Sequence, residues 1–527
     1  MTATSPNYAP RFLPARLPRV CVAIAASNPV EMVQKADVIV RDNPFIEFRL
    51  DYLPKPALAL VKLKTFVEYH PEALVVVTCR RAVNGGKFRG SVASQVDILA
   101  KAAAQGCHLV DIELESASQL KPSDFNRLRR SANLILSFHD FRGTKKLEET
   151  FAKMQQYPAD FIKVVSTANS LYDNVVMMKF LEKYSHSHSL VGVCMGEQGV
   201  ISRLLVVRAG SQFTFGALSA EEATAPGQIV ARALRDTYRI DQVDAATRVY
   251  GVAGDPVAHS LSPAMLNAAF RRENVNAVFL ALHAKSIEDL LACVRDIPIN
   301  GLSITMPYKE QILKHLDKTD PWTTRIGACN TVVRAQDGKL YGFNTDVNGV
   351  VRPLEVRLRL QGAKILVLGA GGAARAAVFG LKERGADVYI LNRTPAPAQT
   401  LAKQARAKAI NRTQLKKMEF EVIINATPVG MEGNRDPVPL SEQEFKCKFF
   451  FEMVYTPAET KMVKMARARG IHVILGAEMF VQQGARQFEI WTGKPAPLAE
   501  MQRVVDYALA QQTAAKVVEP KNNGKKA

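Results

Sequence analysis

The chain has 527 residues, is 47% hydrophobic and 23% charged, and carries a formal net charge of +19. Its length exceeds one hydrophobic core and predicts two to four domains, and its composition is globular rather than disordered or collagenous. No apolar run reaches the roughly 20 residues that span a bilayer. Met1–Pro18 lacks an apolar core of signal-peptide length, and seven scattered cysteines form no C-x-x-C pair. Disulfide frameworks and metal sites are therefore not expected, and a reducing cytoplasm is. Six of the nineteen net positive charges belong to the two terminal tails, and no basic helix carries the rest. Neither nucleic acid nor membrane is an expected partner; anionic small molecules are. The oligomeric state is left open.

From Val20 to Tyr238 short runs of Val, Ile, Leu and Phe recur. They begin at Val20, Phe45, Leu74, His108, Leu134, Phe161, Leu190 and Phe213, at intervals of 23 (Leu190 to Phe213) to 34 (Leu74 to His108) residues. Continuous apolar runs suit parallel strands buried on both faces. Amphipathic segments of helix length lie between them, among them Ala93–Gln105, Leu147–Gln156 and Gly227–Tyr238. Eight such units over residues 17–240 predict a (β/α)8 TIM barrel; the alternative is an open doubly wound sheet, for which a glycine phosphate loop is missing.

A barrel carries its chemistry at the C-terminal ends of its strands and in the loops after them. Polar residues gather there: Glu47 and Arg49, Thr78 and Arg80, and His139 and Asp140. Ser202 and Arg203 fall in the loop after strand seven, and Thr224 to Gln228 after strand eight. Lys163 interrupts the apolar run Phe161–Val165. Such a lysine either snorkels to water at a strand end or acts as a buried amine. A neutral amine attacks carbonyl carbon to form an imine, and a nearby histidine moves the protons.

These pieces resemble type I 3-dehydroquinate dehydratases over Arg19 to Tyr238. The matching residues are Glu47-x-Arg49, Thr78-x-Arg80, His139-Asp140-Phe141, Lys163, Ser202-Arg203 and Ala225-Pro226-Gly227-Gln228. The resemblance implies that Lys163 forms a Schiff base with the ketone of 3-dehydroquinate and that His139 removes the adjacent proton. It implies that Arg203 clamps the substrate carboxylate, and that Glu47, Arg49, Arg80, Thr224 and Gln228 bind the rest of the substrate. Asn84 stands before Gly85-Gly86 where the family usually has a glutamate.

Past a short join at Asp241–Thr247 a second pattern begins. Turn and strand-end motifs rich in hydrogen-bonding side chains follow one another: Ser260-Leu261-Ser262-Pro263, Thr305-Met306-Pro307-Tyr308-Lys309, Ala328-Cys329-Asn330-Thr331 and Asn344-Thr345-Asp346. Singly each is ordinary turn chemistry; together they predict a pocket for a hydroxylated ligand. Next, Gly369-Ala370-Gly371-Gly372-Ala373-Ala374 sits between the strand Lys364–Leu368 and a helix. That context is the one a dinucleotide fingerprint needs. The second strand, Asp387–Leu391, ends in Asn392-Arg393-Thr394 instead of an acid. An arginine there favours the 2′-phosphate of NADP(H), unless Arg393 is simply a surface residue.

Residues 248–512 resemble shikimate dehydrogenases through these motifs. Asn425-Ala426-Thr427-Pro428-Val429-Gly430, Val454-Tyr455-x-Pro457 and Gly476-x-x-Met479-x-x-x-Gln483 extend the match. The resemblance implies a catalytic pair, Lys309 and Asp346, that reduces 3-dehydroshikimate to shikimate. Ser260, Ser262, Thr305, Asn330, Tyr455 and Gln483 would bind the substrate. The glycine turn, Asn392, Arg393, Thr394, Thr427 and Gly476 would bind NADP(H). The expected divisions are a substrate subdomain over 247–358 completed by helices 476–512, a Rossmann subdomain over 359–475, and a disordered basic tail over 513–527. Other readings are a quinate dehydrogenase in the second half, an unrelated Schiff-base aldolase barrel fused to a dehydrogenase, and a basic nucleic-acid-binding or scaffold protein.

Overall fold

The computed structural model describes residues 13–258, 260–297 and 299–518. The chain divides into two compact units, Met1–Thr247 with Leu282–Pro298, and Arg248–Ala281 with Ile299–Ala527.

The first unit holds eight strands: β1 (Val20–Ile24), β2 (Phe45–Arg49), β3 (Leu74–Thr78), β4 (Leu109–Glu113), β5 (Asn133–His139), β6 (Phe161–Thr167), β7 (Leu190–Met195) and β8 (Thr214–Ala217). They pair in parallel in the order β7-β6-β5-β4-β3-β2-β1-β8. The ring's seam falls between β7 and β8, where the Gln212 N–H donates to the Leu190 carbonyl at 2.8 Å. This is the expected TIM barrel. Cys21, Phe45, Leu74, Leu109, Ile135, Phe161, Phe213 and Phe215 belong to one apolar cluster.

Two local expectations change. The segment from Gly227 is helical only over Ala231–Asp236. Gly227 adopts φ +71° in a turn, and Val230 then forms a β-bridge with Ala217, so the helix starts only after that bridge. Ser202 and Arg203 lie on a short helix, Val200–Leu205, rather than a loop.

The second unit holds two six-stranded sheets. The first comprises β9 (Arg248–Gly254), β10 (Ala277–His283), β11 (Ile299–Ile304), β12 (Lys318–Thr319), β13 (Thr331–Arg334) and β14 (Leu340–Phe343), in the order β10-β9-β11-β13-β14-β12. The second comprises β15 (Lys364–Leu368), β16 (Asp387–Leu391), β17 (Lys408–Ala409), β18 (Phe420–Asn425), β19 (Cys447–Glu452) and β20 (His472–Ile474). Its order, β17-β16-β15-β18-β19-β20, is parallel throughout. Counted within the sheet this is 3-2-1-4-5-6, the order of dinucleotide-binding folds, and its switch point lies between β15 and β18.

Helix Gly476–Thr492 returns to the first of these sheets. Gln487 Nε2 reaches Ser303 Oγ, the Asn330 carbonyl and Thr331 Oγ1 at 3.0–3.1 Å, and the Trp491 indole N–H donates to the Val332 carbonyl at 3.1 Å. The last helix runs Leu498–Val518, so residues 513–518 of the expected disordered tail are helical instead. Ala514, Ala515 and Lys516 are good helix formers, which lets the preceding turns propagate. The remainder of that tail lies outside the described residues. No helix among the described residues is long and apolar enough to cross a membrane.

Candidate active sites

Lys163 lies mid-strand in β6, 4% exposed. Register sets it beside Ser137 of β5 and Val191 of β7. Its amine donates to Asp111 Oδ2 at 2.9 Å, lies 3.8 Å from Glu47 Oε1 and sits 4.1 Å from the centre of the Phe215 ring. The lysine does not snorkel: three other strands supply its surroundings. A buried charge needs such pairing, because desolvation costs several kcal/mol per ion, of the order found for buried pairs generally.

Asp111 is the centre of this layer. It also accepts from Ser137 Oγ at 2.6 Å and Arg80 Nη2 at 3.1 Å. Burial works against its charge, but Lys163 and Arg80 hold the carboxyl well below the usual range. Glu113, two residues on, lies 3.6 Å from Arg80 Nε and accepts from Gln95 Nε2 at 2.6 Å. Sequence reasoning singled out neither acid. The available signal was alternation: Leu109-Val110-Asp111-Ile112-Glu113 places both carboxylates on one face of an apolar strand.

His139 ends β5 on the same face as Ser137. Its Nε2 lies 2.6 Å from Arg80 Nη1, and its Nδ1 is buried without a hydrogen-bond partner. Burial first, then the Arg80 and Lys163 cations, push the imidazole well below its ordinary value. A guanidinium only donates, so Nε2 accepts and the proton of the neutral ring belongs on Nδ1.

The other barrel residues fall into smaller groups. Arg49 forms a two-pronged pair with Asp51 at 2.9 and 2.8 Å, and Glu47 accepts from Thr78 Oγ1 at 2.6 Å. Arg203, 2% exposed, donates to the Pro226 carbonyl at 3.0 Å and leaves Nε buried without a partner. Burial pushes its guanidinium down to about 10. Gln228 Oε1 accepts from the Thr224 N–H and hydroxyl at 2.8 and 3.2 Å. Asn84 Nδ2 is buried and unpartnered.

In the second unit Lys309 Nζ meets Asp346 Oδ2 at 2.6 Å. Asp346 opens helix Asp346–Glu355, and its Oδ1 accepts from Asn330 Nδ2 at 2.7 Å. Asn330 is fully engaged: it also reaches Thr345 Oγ1 at 3.0 Å, while its Oδ1 accepts from the Thr345 N–H and the Thr331 hydroxyl, each at 2.8 Å. It braces the carboxylate. Ser260 Oγ accepts from the Ser262 N–H at 3.3 Å, the Thr305 carbonyl accepts from the Tyr308 N–H at 2.9 Å, and Gln483 donates to the Phe480 carbonyl at 2.9 Å. The Tyr455 ring stacks on Phe480 at 4.9 Å, and burial raises its phenol.

At the C-terminal edge of the parallel sheet the glycine turn does what a dinucleotide requires. Gly369 has φ +108°, and a side chain there would press within 3.1 Å of the Ala426 carbonyl and Thr427. Around Gly371 and Gly372 a Cβ would meet nothing within 4 Å, so the start of helix Gly372–Glu383 is open to close approach by a pyrophosphate. A Cβ on Gly476 would lie 2.7 Å from the Met453 and Val454 carbonyls, so helix Gly476–Thr492 starts hard against β19's exit. Arg393 is exposed, and Asn392 donates to the Thr394 carbonyl at 2.8 Å. The residues present fit an adenine dinucleotide.

A lysine-centred barrel followed by a lysine–aspartate pair and a dinucleotide-binding sheet defines a two-activity α/β enzyme. The model of type I 3-dehydroquinase matches residues 20–245. Those of the shikimate dehydrogenase substrate binding domain, shikimate/quinate 5-dehydrogenase and the shikimate 5'-dehydrogenase C-terminal domain match 252–332, 354–430 and 476–505. The chloroplastic bifunctional 3-dehydroquinate dehydratase/shikimate dehydrogenase of Arabidopsis thaliana is 34% identical over 91% of this chain and 82% of that protein. A shikimate dehydrogenase (NADP(+)) of Methanopyrus kandleri is 40% identical over 50% of this chain and 96% of that protein. A solved shikimate 5-dehydrogenase of Thermus thermophilus is 37% identical over 50% of this chain and 100% of that one, with a TM-score of 0.47. The chain belongs to the bifunctional 3-dehydroquinate dehydratase/shikimate dehydrogenase family. It is an enzyme twice over, a lyase in the barrel and an oxidoreductase in the second unit.

Proposed function

We propose that the two clusters perform consecutive steps, from 3-dehydroquinate to 3-dehydroshikimate in the barrel and on to shikimate, with NADPH, in the second unit. The observation that carries this reading is the buried Lys163 amine, held by Asp111 2.9 Å away with His139 on the adjoining strand.

In the barrel, Lys163 gives up a proton to solvent and attacks the ketone, while Asp111 stays ionised beside it; loss of water leaves the imine. The imine draws electrons from the neighbouring C–H bond. His139 takes that proton on Nε2 and returns it to the hydroxyl on the next carbon, which departs as water, and hydrolysis of the imine releases product and Lys163. For His139 to act, Arg80 has to turn its N–H from Nε2 to the substrate's oxygens, so substrate binding itself exposes the base. The unpartnered Arg203 Nε supports a carboxylate clamp there. Glu47, Arg49, Arg80, Thr224 and Gln228 orient the ring.

In the second unit NADPH supplies the hydride. Lys309 stabilises and protonates the developing alkoxide, and Asp346, fixed by Asn330, keeps the ammonium in place. Ser260, Ser262, Thr305, Tyr455 and Gln483 line the hydroxylated substrate; Thr427, at the switch point beside Gly369, and Gly476 border the dinucleotide. Seven unpaired cysteines fit a reducing compartment.

The test supplies 3-dehydroquinate with NADPH and follows loss of reduced cofactor. Oxidation requires both centres. Borohydride added with 3-dehydroquinate traps an adduct on Lys163; an adduct that persists in Lys163→Ala overturns the barrel assignment. Quinate and shikimate offered with NADP+ separate the two dehydrogenase readings.

A further inference from the structure

In parallel dinucleotide folds the end of the second strand meets the adenosine ribose: an acid there accepts from the ribose hydroxyls, whereas an arginine receives a 2′-phosphate. At the end of β16 the sequence offers Asn392 and Arg393, and no acid. The fold brings one back. Arg393 Nη1 lies 3.2 Å from Asp436 Oδ1, across 43 residues of chain. Asp436 is held in place: its N–H donates to Asn434 Oδ1 at 2.9 Å, and Arg412 anchors the following stretch by donating to the Pro439 carbonyl. Arg412 is itself paired with Glu444 at 2.7 Å. Arg393 is 81% and Asp436 43% exposed, so both present their charge to solvent at the edge where the ribose would lie.

We propose that Asp436 is a specificity-determining residue for the adenine dinucleotide, acting on the cation that would take the 2′-phosphate. The phosphate of NADP(H) has to draw Arg393 from Asp436 and brings negative charge towards that carboxylate. The 2′-hydroxyl of NAD(H) meets the carboxylate as an acceptor. The pair therefore compresses the preference for NADP(H) that an unopposed arginine sets up. This inference rests on the dinucleotide reading of the glycine turn.

The test measures dissociation constants by titration calorimetry for NADP+, NAD+, 2′,5′-ADP and 5′-AMP. The proteins are the full chain, Asp436→Asn and Asp436→Ser. Exposed ion pairs are loosely held, so the expected effect is modest: NADP+ and 2′,5′-ADP bind about three- to fivefold more tightly in both variants. NAD+ binds no more tightly, and salt at about 0.5 M shrinks the difference. Arg393→Met abolishes the gain from Asp436→Asn. Equal changes for both dinucleotides, or none, overturn the role of Asp436. If the unaltered chain binds neither dinucleotide nor fragment, the reading of the glycine turn falls, and this proposal with it. Unfolding temperatures unchanged by either substitution exclude a folding defect.

Discussion

The Arg80 guanidinium approaches the His139 imidazole to 2.6 Å, with a cation where a catalytic histidine more often has a carboxylate. The contact occupies Nε2, the nitrogen that accepts a proton in the proposed mechanism, and it favours the neutral ring. His139 is thereby held neutral, and under the proposed mechanism it becomes available as a base when substrate draws Arg80 away.

The pH behaviour of His139 follows from that contact. Burial and then Arg80 depress its proton affinity, so below the ordinary value of about 6.5 the unfolded chain binds a proton that the folded one refuses. The associated stability is complete above that value and is lost as pH falls. In NMR titrations His139 of the unaltered chain remains neutral at about pH 6. In Arg80→Gln its midpoint rises and the acid limb of the dehydratase profile moves up with it. An unmoved midpoint shows that Arg80 does not set the proton affinity.

Asp111 separates ion pairing from catalysis. Asp111→Asn leaves Lys163 buried beside a neutral partner, with a cost of about 3 kcal/mol in the unfolding of the barrel. Dehydratase turnover falls at least about a hundredfold, while reduction of 3-dehydroshikimate continues. Adding Lys163→Met recovers most of the stability and none of the dehydratase. Denaturant unfolding and separate assays of the two reactions check both parts.

Lys309 is tested through the split between kcat and KM. Lys309→Met lowers kcat for 3-dehydroshikimate by about a hundred- to ten-thousand-fold and changes KM little. Asn330→Ala frees Asp346 and gives a smaller loss. An unchanged kcat in Lys309→Met removes the pair from the mechanism.

Glu452 makes the second unit less stable as pH rises towards neutrality. It accepts from Asn425 Nδ2 and Thr460 Oγ1, each at 2.8 Å, and burial pushes its carboxyl up to about 7. The folded chain holds that proton more tightly than the unfolded one. Its stabilising contribution is complete below the usual glutamate value and is lost as pH rises through about 7. Thermal unfolding of the second unit therefore shifts down between about pH 4.5 and about 7 in the unaltered chain. The shift shrinks in Glu452→Gln, whose side chain is neutral throughout; a shift of the same size in both assigns it to other groups.

Local pattern along the chain specifies the architecture. Eight buried apolar runs at steady intervals specify the barrel, and a glycine turn between strand Lys364–Leu368 and a helix specifies the dinucleotide edge. Both follow from side-chain period and backbone freedom within a few residues. Lys163 is conspicuous for the same reason, a charge inside an apolar run. The partners of these charges come from the closed fold. Asp111 lies 52 residues from Lys163 in the chain, His139 59 from Arg80 and Asp436 43 from Arg393. Strand register and ring closure bring the first two pairs together, and a returning loop brings the third, none of which leaves a periodic trace. The difference is physical: apolar burial is written residue by residue, whereas a buried ion pair depends on a partner that only the closed fold delivers.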